Sequence, residues 1–165
     1  EEEMQSAASA MGYGAVKYAD LAQNRTSNYT FSFDRMLDLK GNTAVYLLYA
    51  CARIASIVRK AGVKGERIKQ DLIPGTVKLV HPTEIQLAKE IAKFPEVIEA
   101  VLDELAPNRL CEYLYNLSGV FNEFYSACKV LGSEEEDSRL ALCEATAMIM
   151  RQSFHLLGIT PLMRI

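Results

Sequence analysis

The sequence has little of what membrane spans, metal sites and self-contained enzymes require. No stretch approaches the roughly 18 uninterrupted apolar residues of a membrane span. The two histidines, His81 and His155, lie far apart and have no neighbouring ligand set, so no metal site is expected. Cys51, Cys111, Cys128 and Cys143 form no C-x-x-C pair and sit among apolar residues at helical spacing, which predicts buried free thiols in a reducing compartment. A formal net charge of -3 argues against a non-specific nucleic-acid binder held by overall charge. Nucleophile elbow, P-loop and H-E-x-x-H patterns are all missing. Gly12-Tyr13-Gly14 supplies two glycines of a dinucleotide fingerprint without the third. No catalytic site complete within this chain is expected.

What is present is ordinary for a folded domain: 165 residues, 50% of them hydrophobic and 24% charged, with five prolines. That length fits one domain, and the composition is neither disordered nor low-complexity. The chain opens Glu1-Glu2-Glu3-Met4, acidic where a targeting peptide would be basic, and Met4 is not first. A piece of a longer protein is expected. Three N-x-[ST] sequons, at Asn24, Asn28 and Asn116, are read as chance, the third because it falls inside a helix pattern.

Helical periodicity dominates. Leu110, Leu114, Leu117, Phe121, Phe124, Cys128 and Leu131 step by fours and threes, as do Leu140, Cys143, Ala147, Met150, Phe154 and Leu157. Gly132 is expected to stop the first helix, a Ser133–Glu136 capping box to open the second, and Gly158 to close it. Two such helices on a short turn are expected to pack antiparallel. Asn42 or Thr43 is expected to cap a helix from Ala44 to Val58 that ends before Gly62. A Thr83–Gln86 capping box, Pro95 and Pro107 announce three more starts. Between Gly62 and His81 the chain reads as basic and turn-rich. Tyr29, Phe31 and Phe33 alternate with polar residues, which fits either one strand or an extended connection. The fold class is therefore all-α, a bundle of about five or six helices.

Charge and aromatic residues are unevenly placed. Seven basic residues (Arg53, Arg59, Lys60, Lys64, Arg67, Lys69, Lys78) fall between Arg53 and Lys78 against Glu66 and Asp71, while acids collect at Glu1–Glu3 and Glu134–Asp137. Such a segment fits a polyanionic partner or a solvated face. Tyr46, Tyr49, Arg53, Ser56 and Lys60 are spaced three, four, three and four, one stripe on the helix after Gly41. Aromatic rings beside a guanidinium suit unstacked RNA bases. They equally suit tyrosines capping the edge of a core with their hydroxyls outward.

Gly12 to Leu21, Asn24-Arg25, Gly41 to Ile54, Phe94 to Ile98, Tyr113 to Leu117, Phe124-Tyr125 and Leu156 to Ile159, taken in order, resemble arginyl-tRNA synthetases over essentially the whole chain. The resemblance implies a boundary: residues 1–40 as the exit from the catalytic core with its connecting loop, and residues 41–165 as an α-helical anticodon-binding domain of the DALR type found in class I synthetases. It also implies a tRNA specific for arginine as partner, read at its anticodon loop, together with the protein's own catalytic domain, and neither DNA nor membrane. No cofactor is expected in this stretch; ATP, with magnesium, would serve the full-length ligase upstream. The His-x-Gly-His and Lys-Met-Ser-Lys-Ser signatures that act on ATP are absent here. A cytoplasmic location is expected, with an organelle as a further location left open.

Carried over residue by residue, Tyr46 and Tyr49 match the family's tyrosine pair against the anticodon loop, and Arg53 matches the arginine one turn on. Tyr125 matches an aromatic facing the same loop. The family's chain ends in Met, whereas this one ends in Ile165. Lys60 completes the expected RNA-binding set as a phosphate contact. The rival reading is a helical protein-interaction module within a synthetase complex; burial of Tyr46, Tyr49 and Tyr125 in the core would remove the basis for binding RNA by stacking.

Overall fold

Apolar spacing becomes eight helical segments in the computed structural model, which describes residues 2–70 and 77–162 and contains no strand among them. In chain order they are α1 (Glu2–Leu21), α2 (Phe33–Met36), α3 (Ala44–Lys60), α4 (Val63–Gln70), α5 (Pro82–Ala92), α6 (Phe94–Glu104), α7 (Asn108–Ala127) and α8 (Glu136–Leu156). The all-α expectation holds, and α3 and α5 to α8 are the five helices read from the spacing. The additional segments arise where the pattern was weak. α1 is rich in alanine and unbranched side chains between Gln5 and Met11, which cost little to place in a helix. α4 forms inside the stretch read as turn-rich, and α2 is a single turn capped by Ser32.

Two glycines explain how the added helices reach the bundle. A Cβ on Gly14 would lie 3.1 Å from Ile159 Cγ2, so this glycine lets α1 approach the chain that follows α8. That gives Gly12-Tyr13-Gly14 a packing role. At Gly65 a Cβ would meet the Val58 carbonyl oxygen, so only glycine lets α4 fold back on the end of α3. The segment around Phe31 is an extended connection, where Phe31 and Phe33 meet edge-on with centroids 4.9 Å apart.

α3 buries ten residues from Ala44 to Val58 and packs against α8, α1, α4 and α7. Leu114, Phe121, Phe124, Ala147, Met150 and Phe154 are all buried together, as the two stripes require. Each long helix nevertheless has a broader partner than the other: α7 lies mainly on α5, and α8 mainly on α3. The Tyr18 hydroxyl fastens α1 to this core, within reach of Asn42 Oδ1 (2.5 Å) and the Cys111 carbonyl (2.9 Å). Burial pushes its pKa well above the usual phenol value. All four cysteines are buried free thiols. Burial raises the pKa of Cys51 to about 11 and those of Cys111 and Cys143 to about 12, which keeps them protonated at neutral pH.

Several helix ends differ from expectation because neighbouring groups of the adjoining turns take up the capping atoms. α7 stops at Cys128, before Gly132, which adopts a left-handed φ of 71° in the turn beyond. No Ser133–Glu136 box forms: the Ser133 hydroxyl donates to the Val130 carbonyl, and Glu136 Oε2 accepts from the Gly132 N–H. α5 is opened by His81, whose Nδ1 accepts from the Thr83 N–H at 3.2 Å, with Pro82 in its first turn. The reciprocal partner is Glu84 rather than Gln86, accepting from the N–H groups of Val80 (2.6 Å) and His81 (2.9 Å).

Glu84 is fully buried, and its other oxygen accepts from Arg139 Nε at 2.7 Å. Arg139 also donates to the Lys129 carbonyl at 2.9 Å and pairs with Glu135 at 3.2 Å. One ion pair therefore joins the start of α5, the α7–α8 turn and the first turn of α8. Burial by itself would raise the Glu84 pKa, but the His81 N–H, the Arg139 guanidinium and the Val80 N–H hold it below the usual carboxylate value.

Glu84→Gln should therefore destabilise the fold by about 3–5 kcal/mol near neutral pH, measured by urea denaturation, because it leaves Arg139 facing an uncharged partner. The folded pKa lies below the unfolded one, so this stabilisation is present above the unfolded carboxylate pKa of roughly 4.3. It is lost as pH falls through the folded value. The gap between the two proteins should close with acidification; a gap independent of pH would mean that Gln disrupts packing instead.

Candidate nucleic-acid interface

The 3.6-residue period that buries Leu47, Leu48, Cys51 and Ile54 leaves Tyr46, Tyr49, Arg53 and Lys60 on the opposite side of α3. Thr43 starts the helix in the right frame, its hydroxyl oxygen accepting from the Tyr46 N–H at 3.2 Å and its proton donated to the Asp38 carbonyl at 2.7 Å. Gly41, at φ 82°, turns the Asp38–Thr43 segment into that cap.

The stripe is not uniform. Tyr49 is open, 54% exposed, with no ring or hydrogen-bond partner among the described residues. Tyr46 is half-buried: its hydroxyl oxygen accepts from Asn122 Nδ2 at 2.9 Å, and its ring meets Tyr115 at 6.0 Å and 63°. Arg53 is exposed and lies over the Tyr125 ring, Cζ 5.2 Å from the centroid, in cation–π contact. The opposite chain of support runs inward, since Tyr125 stacks on Phe121 at 6.0 Å and 15°, and Phe121 meets Phe124 at 5.8 Å. Ser56 is half-buried and Lys60 exposed, two turns beyond Arg53. Arg53 and Lys60 have no carboxylate partner among the described residues. Ile165 lies outside the described residues.

Tyr46, Arg53 and Tyr125 are thus brought onto one surface between α3 and α7, with Tyr49 and Lys60 along its α3 edge. The rings of Tyr46 and Tyr125 are already engaged within the protein, which leaves Tyr49 as the open platform. Asn122 and Tyr115 complete the surface although spacing on α3 could not show them. The available signal was on α7, where Tyr115, Asn122 and Tyr125 share a stripe beside the apolar one. The basic segment is partly balanced from within: Lys64 pairs with Glu136 at 3.5 Å and Asp137 at 3.9 Å, so the acidic run folds onto it. No group of His, Cys, Asp and Glu among the described residues could hold a metal ion, and no described helix is long and apolar enough to cross a membrane.

Residues 47–165 match the DALR anticodon binding domain family, and residues 1–33 match the family of class I (R) tRNA synthetase catalytic domains. The chain is 57% identical over 164 residues to the chloroplastic/mitochondrial arginine–tRNA ligase of Arabidopsis thaliana, covering 99% of this chain and 25% of that protein. It is 54% identical to the cytoplasmic arginine–tRNA ligase of the same plant, again over 99% of this chain and 27% of that one. The chain therefore spans about a quarter of the length of these curated relatives. The crystal structure of arginyl-tRNA synthetase from Plasmodium falciparum superposes with a TM-score of 0.85 at 38% identity, over 94% of this chain and 27% of that one.

Inner and outer halves of the site should respond differently to truncation. Phe121→Ala should cost about 3–5 kcal/mol of stability, since it removes a buried ring that supports both Phe124 and Tyr125. Tyr49→Ala should change stability by no more than about 0.5 kcal/mol, as an open surface residue. Thermal or urea unfolding of the two variants checks this; comparable losses would make Tyr49 part of the core.

Proposed function

The chain belongs to the DALR anticodon-binding domain family of arginyl-tRNA synthetases, and we propose that it binds the anticodon loop of a tRNA specific for arginine on the face shared by α3 and α7. The observation that carries this reading is the open Tyr49 ring between a half-buried tyrosine and two basic side chains, Arg53 and Lys60. An exposed ring accepts a splayed base, and the basic residues take phosphates. Arg53, with one face against Tyr125, keeps its outward N–H groups for the RNA. An apolar protein partner is less well matched by a tyrosine flanked by cations.

Residues before about 40 then close the catalytic domain and residues 41–165 form the RNA-binding unit, joined by the hydrogen-bonded Asp38–Thr43 segment. In this reading the larger protein ligates arginine to its tRNA with ATP and magnesium, chemistry that belongs to the catalytic domain rather than to the α3–α7 face. Its relatives in one plant include a cytoplasmic and a chloroplastic/mitochondrial ligase, which supports placement in the cytoplasm or an organelle.

Titration of a labelled anticodon stem-loop tests the reading. Tyr49→Ala should weaken binding by about tenfold or more, the worth of one stacked base. Tyr49→Phe should do much less. Lys60→Ala should weaken all loop sequences alike and flatten the salt dependence, as a phosphate contact does. Unchanged affinity in Tyr49→Ala, with its helical circular dichroism intact, would return Tyr49 to a core-edge role.

A further inference from the structure

Tyr46 and Tyr49 stand three residues apart on one helix face, yet their surroundings fit them for different work. The Tyr49 ring is open, whereas the Tyr46 ring is clamped: the Tyr115 ring packs against it edge-on, and Asn122 holds its hydroxyl. A half-buried ring with an aromatic neighbour is a poor platform for an incoming base. Its hydroxyl is better placed to act. A phenol oxygen carries one proton and two lone pairs. Asn122 Nδ2 donates into a lone pair at 2.9 Å, and no described residue accepts the Tyr46 proton. Tyr46 is half-buried rather than sealed within the core.

Resting on the RNA-binding reading, we propose that Asn122 is a positioning residue that fixes the hydrogen-bond polarity of Tyr46, making its hydroxyl a donor to an acceptor atom on the edge of one anticodon-loop base. The ligand chemistry is specific: a base presenting a carbonyl oxygen or unprotonated ring nitrogen satisfies this donor, while an amino group at the same place leaves two donors opposed. Tyr49 then supplies stacking, which every base accepts, and the Tyr46–Asn122 pair supplies discrimination. A site built to hydrogen-bond one group rejects the analogue that leaves buried polar atoms unpaired, which is why a single polarised hydroxyl can select among bases.

The test is binding of the 165-residue chain to RNA hairpins in which each loop position is varied through the four bases, read by fluorescence anisotropy at fixed salt. At one loop position the wild-type chain should favour, by about tenfold, the bases that place an acceptor rather than an amino group at the contacted atom. Tyr46→Phe should erase that preference while leaving the others. Asn122→Asp should erase it too, because the new carboxylate takes the Tyr46 proton and leaves only lone pairs toward the RNA. In a Tyr46→Phe background, Asn122→Asp should change no base preference, which separates polarity from added charge. Asn122→Ala, which frees the hydroxyl to donate or accept, should keep part of the preference and serves if the Asp variant does not fold. An Asn122→Asp effect equal for all loop sequences, as a phosphate contact or plain repulsion would give, overturns the proposal. So does a base preference that survives Tyr46→Phe. In both of these cases Tyr49→Ala still weakens binding, so the RNA reading stands; a wild-type chain that binds no hairpin sinks both.

Discussion

α3 has to bury one side completely while leaving the other open, and the remaining helices are arranged around that demand. Its inner side, from Ala44 to Val58, is covered by α8, α1, α4 and α7. Nothing in a single helix can satisfy both requirements unless its start is fixed, because a shift of one residue rotates every side chain by about 100°. The Thr43 hydroxyl and the turn at Gly41 supply that fixed start. The frame of the helix is thus set by the same segment that joins it to the preceding 40 residues.

A second constraint holds the distant end of the bundle. Glu84 and Arg139 meet in a site where Glu84 has no exposure at all, and each makes further hydrogen bonds to backbone groups. Isolated burial of either charge would be costly, and pairing with good geometry offsets that cost. Because the pair ties α5 to the α7–α8 turn, it also fixes α7, on which α5 lies, and α7 carries Asn122 and Tyr125. The surface face is therefore supported from beneath by Phe121 and from the side by the Glu84–Arg139 ion pair.

Charge is distributed to suit this division. The acidic first turn of α8 neutralises Lys64, while Arg53 and Lys60 remain without carboxylate partners among the described residues. The net charge of -3 consequently says little about the face itself. Specific recognition by an acidic protein is possible where a few cations stand beside an open ring, since stacking and hydrogen bonding carry the discrimination.

The five helices announced by apolar periods and start signals, a cap at Asn42 or Thr43 and the outward stripe of α3 were determined by the sequence alone. They depend on neighbours three and four residues apart, and local spacing encodes those contacts directly. Helix α4 escaped because its basic surface hides a weak apolar pattern, and the capping boxes at Thr83 and Ser133 failed because buried and turn groups claimed the same atoms. Ile165 stays legible only as a resemblance. What the tertiary structure decided is which tyrosine is open and which is held. Tyr46 meets Asn122, and Arg53 meets Tyr125, across some seventy residues of chain. Contacts of that separation follow from how α7 is set against α3, a packing outcome that no window of sequence contains.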